Sequence, residues 1–163
     1  MHYYLSIDAG TSIVKVVIFD LKFKVVFNNS TNNDVITNSK GKSEINMNKF
    51  WLTTSKCIKE SIIKSKINPK KIIAIGITGN MVGAWPVDYK NQPVRNAILW
   101  NDTRSEHIFN ILKKNNNKIF EDIFKISGSI VQYGCTLPVL KWFEKFEKKT
   151  LRKTKYFLTC KDW

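Results

Sequence analysis

The sequence lacks any apolar run approaching the ~20 residues that a membrane-spanning helix requires. Its first residues also lack the basic start and the long apolar stretch of a secretory signal peptide. No segment recurs at a fixed period, which excludes a repeat architecture. These absences predict a cytoplasmic protein with no membrane partner.

Cysteine is scarce and is not arranged for a zinc site or a disulfide framework. The three cysteines, Cys57, Cys135 and Cys160, are far apart, and none forms a Cys-x-x-Cys pair. They show no zinc-binding spacing with His2 or His107 either. We therefore expect reduced thiols that are mostly buried.

Acidic side chains are also few. The chain has 27 Lys and Arg against 13 Asp and Glu, a formal net charge of +14. Such an excess is compatible with nucleic acid or an anionic membrane as a partner. The densest basic stretch, residues 147–155, has no aromatic side chain on which bases could stack. The charge therefore favours a solvated basic surface that also attracts small polyanions, with nucleic-acid binding as the weaker alternative.

The composition is otherwise that of a folded chain. Hydrophobic residues make up 43% of the 163 residues, and five residues are tryptophan. This content favours a globular protein over a disordered one. The length fits a single domain or part of a larger one.

The first part of the chain is predicted to form strands. Apolar runs at residues 3–7, 13–19 and 22–28 indicate an antiparallel meander with a hairpin turn at residues 20–21. Residues 29–46 are polar, which predicts a loop or a frayed hairpin.

A helix is predicted next, with Asn48 as its N-cap and a stop before Pro69. Residues 71–78 have a continuous apolar centre, typical of a strand covered on both faces of an α/β sheet. The remaining predicted elements are strands at 81–87 and 94–100, two helices capped by Ser105 across 106–126 with a break at 115–117, a loop at 128–134, a helix at 137–148 and a short strand at 156–158.

The first motif is the pentapeptide Asp-Ala-Gly-Thr-Ser that begins at Asp8, between two apolar strands. Gly10 lets the backbone approach an anion closely. The N–H groups and hydroxyls of Thr11 and Ser12 can donate to phosphoryl oxygens. Asp8 can hold Mg2+ through water, and Lys15 adds a positive charge. Taken alone, the motif is explained equally well by a structural turn.

Further blocks narrow the interpretation. Residues 76–83 read Gly-Ile-Thr-Gly-Asn-Met-Val-Gly, and residues 93–104 read Pro-Val-Arg-Asn-Ala-Ile-Leu-Trp-Asn-Asp-Thr-Arg. A third block begins with Ser-Gly at residues 127–128 and ends with Leu-Lys-Trp at 140–142. Together with the pentapeptide, these blocks closely resemble, in order and over essentially the whole chain, the FGGY kinases, which include xylulose, glycerol and gluconate kinases.

This resemblance implies an α/β, ribonuclease H-like fold of the actin and sugar kinase superfamily, with a mixed sheet and flanking helices. It implies that residues 1–163 are an incomplete N-terminal, sugar-binding half, and that the C-terminal ATP-binding domain is absent. The implied reaction transfers a phosphoryl group from ATP, with Mg2+, to a hydroxyl of a small sugar or polyol. A homodimer of the full-length parent is left open.

The resemblance also assigns a substrate site. Its residues are Asn80, Met81, Val82, Trp100, Asn101, Asp102 and Arg104, while Asp8, Gly10, Thr11, Ser12 and Lys15 are assigned to Mg-ATP. Structural alternatives remain: Trp100 and Met81 could lie in the core, Asp102 and Arg104 could pair with each other, and His107 is expected at the surface or at a helix cap.

The sequence departs from the family pattern at two positions. Asn80 stands where the family usually has Gln, and Val82 stands where many members have His or Glu. A site that loses a hydrogen-bonding partner discriminates differently, so neither xylulose nor glycerol is carried over as the substrate. The family's catalytic Asp lies beyond this segment, so we expect the isolated chain to be inactive. The alternative is a non-catalytic sugar-binding or regulatory remnant.

Overall fold

The computed structural model describes residues 1–116 and 118–163. The chain divides into two compact units. Unit 1 comprises Met1–Val35, Asn46–Met81 and Cys160–Trp163, and unit 2 comprises Ile36–Ile45 and Val82–Thr159.

Along the chain, groups of strands are separated by helices. The strands are β1 (Tyr3–Ala9), β2 (Ile13–Asp20), β3 (Val25–Asn32), β4 (Val35–Thr37), β5 (Ser43–Ile45), β6 (Ile72–Gly79), β7 (Gly83–Val87), β8 (Ala97–Leu99) and β9 (Tyr156–Leu158). The helices are α1 (Met47–Ser65), α2 (Glu106–Asn115), α3 (Ile119–Ser127), α4 (Thr136–Phe146) and α5 (Lys148–Lys153). Among these helices of the described residues, none is both long and apolar enough to cross a membrane.

Unit 1 is built on a mixed sheet with strand order β3-β2-β1-β6. β2 is antiparallel to both β1 and β3, whereas β6 is parallel to β1. Alternate residues of the two inner strands are buried: Leu5, Ile7, Ala9, Val14, Val16 and Ile18. This period of two is the pattern of strands with one face on a core, and it confirms the predicted pairing of the first two strands.

Helix α1 covers the buried face of this sheet. Its buried residues recur at helical spacing: Met47, Phe50, Thr54, Cys57 and Ser61. The predicted N-cap was wrong by two residues: the side chain of Asn46, and not that of Asn48, accepts a hydrogen bond from the backbone N–H of Lys49. The helix ends at Lys66, which adopts a left-handed φ of 58°, before the proline at 69 as predicted.

The hairpin between β2 and β3 is longer than predicted. The Asp20 carboxylate accepts hydrogen bonds from the backbone N–H groups of Lys22 and Lys24, and Phe23 has a φ of 59°. This local ring holds residues 20–24 in the turn, so β3 begins at Val25 instead of residue 22. The segment at 29–46, predicted as a loop or a frayed hairpin, contains the end of β3 and the short strands β4 and β5. Since β4 and β5 are neighbours in one sheet, the hairpin alternative is the correct one.

Strand β6 corrects another prediction. It lies at the end of the four-stranded sheet, and its side chains are exposed or half-exposed along its whole length. Ile73, Ile75 and Ile77 are 53%, 60% and 56% exposed. The apolar run therefore forms an edge strand with uncovered isoleucines, and the expectation that both faces are covered is wrong.

Unit 2 has a second sheet with strand order β4-β5-β8-β7-β9. Its core cluster is Ala84, Ile98, Val139 and Phe143, flanked by Trp142, Leu151 and Phe157. These residues bring α4 and α5 against β7, β8 and β9.

Several boundaries in unit 2 differ from the predictions. β7 and β8 are shorter than the apolar runs that predicted them, and α5 was not predicted at all. α2 and α3 confirm the two helices, and of the predicted break at residues 115–117, Asn117 lies outside the described residues. Ser105 precedes α2 as predicted, but its hydroxyl donates to the Tyr133 carbonyl and makes no cap hydrogen bond.

Candidate functional site

In unit 1, two of the motifs meet at one edge of the sheet. The parallel register of β1 and β6 pairs Ala9 with Gly79. Parallel strands present their carboxyl ends at the same sheet edge, where ligands bind in α/β folds. Gly10 and Asn80 directly follow these strand ends, so the turn predicted to bind phosphate and the start of the predicted substrate motif leave the sheet side by side.

Asp8 lies beside a cation and a hydroxyl at this edge. Its register partners are Lys15 on β2 and Thr78 on β6, and all three residues are exposed. Directly opposed residues on neighbouring strands project from the same face, with their Cβ atoms about 5 Å apart. The fold therefore groups the predicted metal-side carboxylate and the predicted positive charge on one face.

The turn that follows β1 is closely packed. A Cβ added to Gly10 would lie 2.6 Å from the Ile13 carbonyl oxygen. The chain's own backbone thus already requires glycine here, in addition to the predicted approach of an anion. The turn is also bound by Asn33, whose Nδ2 donates to the carbonyls of Gly10 at 2.8 Å and Thr11 at 3.3 Å. Sequence reasoning missed Asn33, because it lies more than twenty residues downstream in a segment predicted to be a loop or a frayed hairpin.

Cys160 links the two strand ends of unit 1. Its thiol lies 3.5 Å from the carbonyl oxygen of Ala9 and 3.4 Å from that of Asn80. Burial raises the pKa of this thiol to about 11, so it stays protonated and can donate at neutral pH. A Cβ on Gly79 would lie 2.6 Å from the Cys160 sulfur and 2.8 Å from the Ala9 oxygen. The prediction of a reduced, buried thiol describes Cys160 and Cys57, while Cys135 is only partly buried.

The predicted substrate residues divide between the two units. Asn80 and Met81 belong to unit 1, and Met81 is 75% exposed. Val82, Trp100, Asn101, Asp102 and Arg104 belong to unit 2. The exposure of Met81 excludes the alternative that it is a core residue.

Trp100 lies on the surface of unit 2 on a tightly held backbone. Its side chain is 49% exposed, which excludes a core role. A Cβ on Gly134 would overlap the Trp100 carbonyl, and Ser105 donates to the Tyr133 carbonyl. The loop before α4 is therefore packed directly against the segment that carries Trp100.

Asp102 is fully buried, and its carboxylate accepts hydrogen bonds from within unit 2. It accepts from the backbone N–H of Ser43 at 2.7 Å and from that of Arg104 at 2.9 Å. It also accepts two bonds from the Arg104 guanidinium, at 2.8 Å from Nε and 2.7 Å from NH2. The pairing of these two side chains, which the sequence left as an alternative, is present.

Glu44 joins this pair and was missed by sequence reasoning. It is 1% exposed and accepts from Arg104 at 2.7 Å and also from Arg95. Burial would raise the pKa of Glu44, but the charge of Arg95, followed by the hydrogen bond and charge of Arg104, outweighs burial and lowers it. Burial would likewise lower the pKa of Arg104, and its bonds to Asp102 and Glu44 raise it instead. Both side chains are therefore charged at neutral pH.

Aromatic rings of α4 complete this ionic network. The guanidinium carbon of Arg104 lies 5.0 Å from the Trp142 ring centroid, and that of Arg95 lies 5.6 Å from the Phe143 centroid. Cations within about 6 Å of a ring face are attracted by its quadrupole. The network thus ties β5, the Asp102 segment and α4 into one rigid support for the residues that follow β8.

Comparisons with known proteins bear on the family and the fold of the chain. The family model described as "FGGY family of carbohydrate kinases, N-terminal domain" matches residues 3–163. The chain belongs to the FGGY family of carbohydrate kinases. This FGGY chain accordingly has the actin-like, ribonuclease H-like fold that the motifs implied, and the mixed sheet of unit 1 is part of it.

Similar proteins are named as xylulose kinases. The xylulose kinase of Bacillus subtilis is 32% identical over 163 residues, which cover 100% of the FGGY chain and 32% of that relative. A "Probable L-xylulose kinase" from Haemophilus influenzae is 30% identical, covering 100% of the chain and 33% of that relative. The crystal structure of a "xyloylose kinase" from Brucella ovis superposes with a TM-score of 0.86 at 30% identity, over 99% of this chain and 33% of the other. The FGGY chain spans about a third of the length of these relatives.

Proposed function

We propose that this chain supplies the sugar-binding side of an ATP-dependent phosphotransferase that acts on a sugar or polyol hydroxyl. The observation that carries the proposal is the pairing of Ala9 with Gly79. It supports the proposal because the turn proposed for phosphate and the start of the motif proposed for substrate follow neighbouring strand ends, as transfer between two bound groups requires.

The phosphate side would be served by the turn after β1. The N–H groups and hydroxyls of Thr11 and Ser12 are donors suited to phosphoryl oxygens, which gather negative charge during transfer. Lys15 is exposed opposite Asp8 and adds a positive charge to the same face. In this proposal the turn binds and orients the phosphoryl group but exchanges no proton with it.

Asp8 fits a magnesium ion held through water. The described residues contain no cluster of three or more potential metal-ligating side chains. Mg2+ in phosphotransferase sites usually has one or two carboxylates and completes its shell with water and phosphate, so a single exposed carboxylate is sufficient. When bound, the ion would neutralise charge on the phosphates. Asp8 would orient its water ligands.

On the substrate side, we propose a pentulose or a related polyol. The relatives named as xylulose kinases support a pentulose. The half-exposed Trp100 ring can pack on the apolar C–H face of a sugar. Val82 offers a methyl surface where many family members place a hydrogen-bonding group, so the preferred sugar is expected to differ from xylulose near that position.

A catalytic base is not evident among the carboxylates of these motifs. Asp102 and Glu44 are buried and engaged by arginines, and Asp8 is assigned to the metal side. A base must reach the hydroxyl proton that it removes. We therefore propose that a polypeptide of residues 1–163 alone binds sugar without transferring phosphate, which is also the behaviour expected of a regulatory sugar-binding protein.

Calorimetric titration with a panel of pentuloses, pentitols and glycerol tests this function. Trp100→Ala should abolish sugar binding, whereas Trp51→Ala, at a 58% exposed position on α1, should not. No binding of any sugar by the parent chain would contradict the substrate proposal. An ATP-turnover assay with the bound sugar distinguishes sugar binding from phosphate transfer. Turnover that disappears in Asp8→Ala would contradict the proposal that residues 1–163 alone do not transfer phosphate.

A further inference from the structure

One residue holds the backbone of the phosphate turn. The Nδ2 of Asn33 donates to the carbonyl oxygens of Gly10 at 2.8 Å and Thr11 at 3.3 Å. Its backbone N–H donates to the carbonyl oxygen of Ser12 at 2.8 Å. Three consecutive carbonyl groups of the turn are thus directed towards Asn33, which lies one residue past the end of β3.

This anchoring also fixes the opposite side of the turn. In a trans peptide unit, the C=O and N–H groups point in opposite directions, and the described residues contain no cis peptide bond. The carbonyls of Gly10 and Thr11 face Asn33. The N–H groups of Thr11 and Ser12, which belong to the same two peptide units, therefore face away from it. Successive N–H groups that point the same way form a concave site for anions.

The Asn33 amide adopts this orientation although it leaves the Oδ1 acceptor without a hydrogen bond. Its Oδ1 is buried and has no hydrogen-bond partner within the described part of the chain. In the flipped amide, Oδ1 would face two carbonyl oxygens and the NH2 group would lose both acceptors. The two donations to the turn therefore determine how this side chain is placed.

We propose that Asn33 is a positioning residue that holds the Thr11 and Ser12 N–H groups ready for phosphoryl oxygens. This inference rests on the proposed function, since it assigns the outward N–H groups to the phosphate of the donor nucleotide. Asn33 does not touch the phosphate. It removes the need to order the turn when the anion binds, and preorganisation of this kind increases affinity.

Amide-resolved NMR of the 15N-labelled 163-residue chain tests the inference in two stages. Without ligand, Asn33→Ala should lower the heteronuclear NOE at Thr11 and Ser12. Asn32→Ala is the matched control, because Asn32 is an adjacent, exposed asparagine on β3. Asn33→Asp keeps the side-chain shape and removes the donors, so it provides the same test should the alanine variant not fold. An unchanged turn in both Asn33 variants would overturn the inference.

In the second stage, inorganic tripolyphosphate with Mg2+ is titrated at physiological salt. The parent chain and Asn32→Ala should show saturating shifts at Thr11 and Ser12. Binding should be about tenfold weaker in Asn33→Ala, because the anion must then order the turn when it binds. Equal affinity in Asn33→Ala, despite a mobile turn, would overturn the positioning role. Shifts confined to the basic residues 148–155 in the parent chain would overturn the phosphate role of the turn itself, and the unliganded data would then decide the anchoring by Asn33 on their own.

Discussion

Glu44 and Arg104 form a buried ion pair, with 2.7 Å between the carboxylate Oε1 and the guanidinium NH2. The two residues lie sixty positions apart in the sequence. Arg104 also binds Asp102, and Asp102 binds the backbone of Ser43, which precedes Glu44. The short β5 strand and the segment after β8 therefore hold each other through charges at both ends of the contact.

This pair predicts an acid-sensitive unit 2. Glu44 has a folded pKa below its usual value of 4.5, so its stabilising contribution is complete above that pH and is lost as the pH falls through the folded pKa. Glu44→Gln should lower the free energy of unfolding by about 1.5–3 kcal/mol at pH 7, because hydrogen bonds to a charged carboxylate are weakened, while Arg104 keeps Asp102 and Arg95 keeps Glu147 as partners. Thermal unfolding followed between pH 7 and pH 3 should show this difference shrinking below pH 4.5.

The matched control is Glu121→Gln, at an exposed position in the first turn of α3. It should leave the unfolding temperature nearly unchanged across the same range. A Glu44→Gln variant as stable as the parent chain at pH 7 would show that the pair is replaceable, and a constant difference down to pH 3 would show that its charge is not what matters.

Elements with a regular pattern were predictable from sequence. β1 alternates apolar and polar residues towards its end, and β2 is rich in Val and Ile. The helix α1 repeats apolar residues at helical spacing, so local sequence determines these elements. Of the candidate residues, Gly10, Thr11 and Ser12 were predicted in a turn and lie between β1 and β2, whereas Met81, Val82 and Trp100 were predicted in strands and lie outside β7 and β8. Their contacts confirm neither a phosphate nor a sugar role, which stays a prediction for Asp8 and Trp100 alike.

Long-range contacts explain what sequence reasoning missed. Glu44 lies in a polar stretch that predicted a loop or a frayed hairpin, and its polarity gave no sign that distant arginines pair with it in a buried strand. Asn33 is indistinguishable in sequence from the neighbouring asparagines until β3 brings it to the phosphate turn. The apolar run of β6 could not reveal which of its faces are covered, because covering depends on elements elsewhere in the chain.

The two glycines of β6 should respond oppositely to alanine. Gly79→Ala places a Cβ 2.6 Å from the Cys160 sulfur and 2.8 Å from the Ala9 oxygen, and overpacking of this kind costs about 1–3 kcal/mol. Gly76 has no atom within 4 Å of such a Cβ, so Gly76→Ala should stabilise the strand by about 0.5–1 kcal/mol. Urea unfolding of both variants checks this, and equal effects would show that the contact at Gly79 relaxes freely.

The Cys160 thiol should be alkylated more slowly than the Cys135 thiol. Its pKa is raised by burial from 9.0 to about 11, and each unit of pKa reduces the thiolate fraction about tenfold at neutral pH. With iodoacetamide at pH 8, Cys135, which is partly exposed, should be labelled first. Peptide mass spectrometry of the native chain and of Cys135→Ser measures each rate. Labelling of Cys160 in the native chain as fast as Cys135 would contradict its role as a protonated link between the strand ends.

The uncovered isoleucines of β6 should make the 163-residue polypeptide associate with itself. Ile75 and Ile77 line an apolar groove of about 250 Å³ together with residues of β1 and α1, and both lie on an edge strand. Exposed apolar edges promote pairing between chains. Ile75→Lys should therefore lower both the weight-average mass in sedimentation and the binding of an apolar dye. Ile126→Lys, at an 89% exposed position on α3, adds the same charge away from β6 and should not change the association. A parent chain that is strictly monomeric at high concentration, with no dye binding, would show that the β6 face is not adhesive.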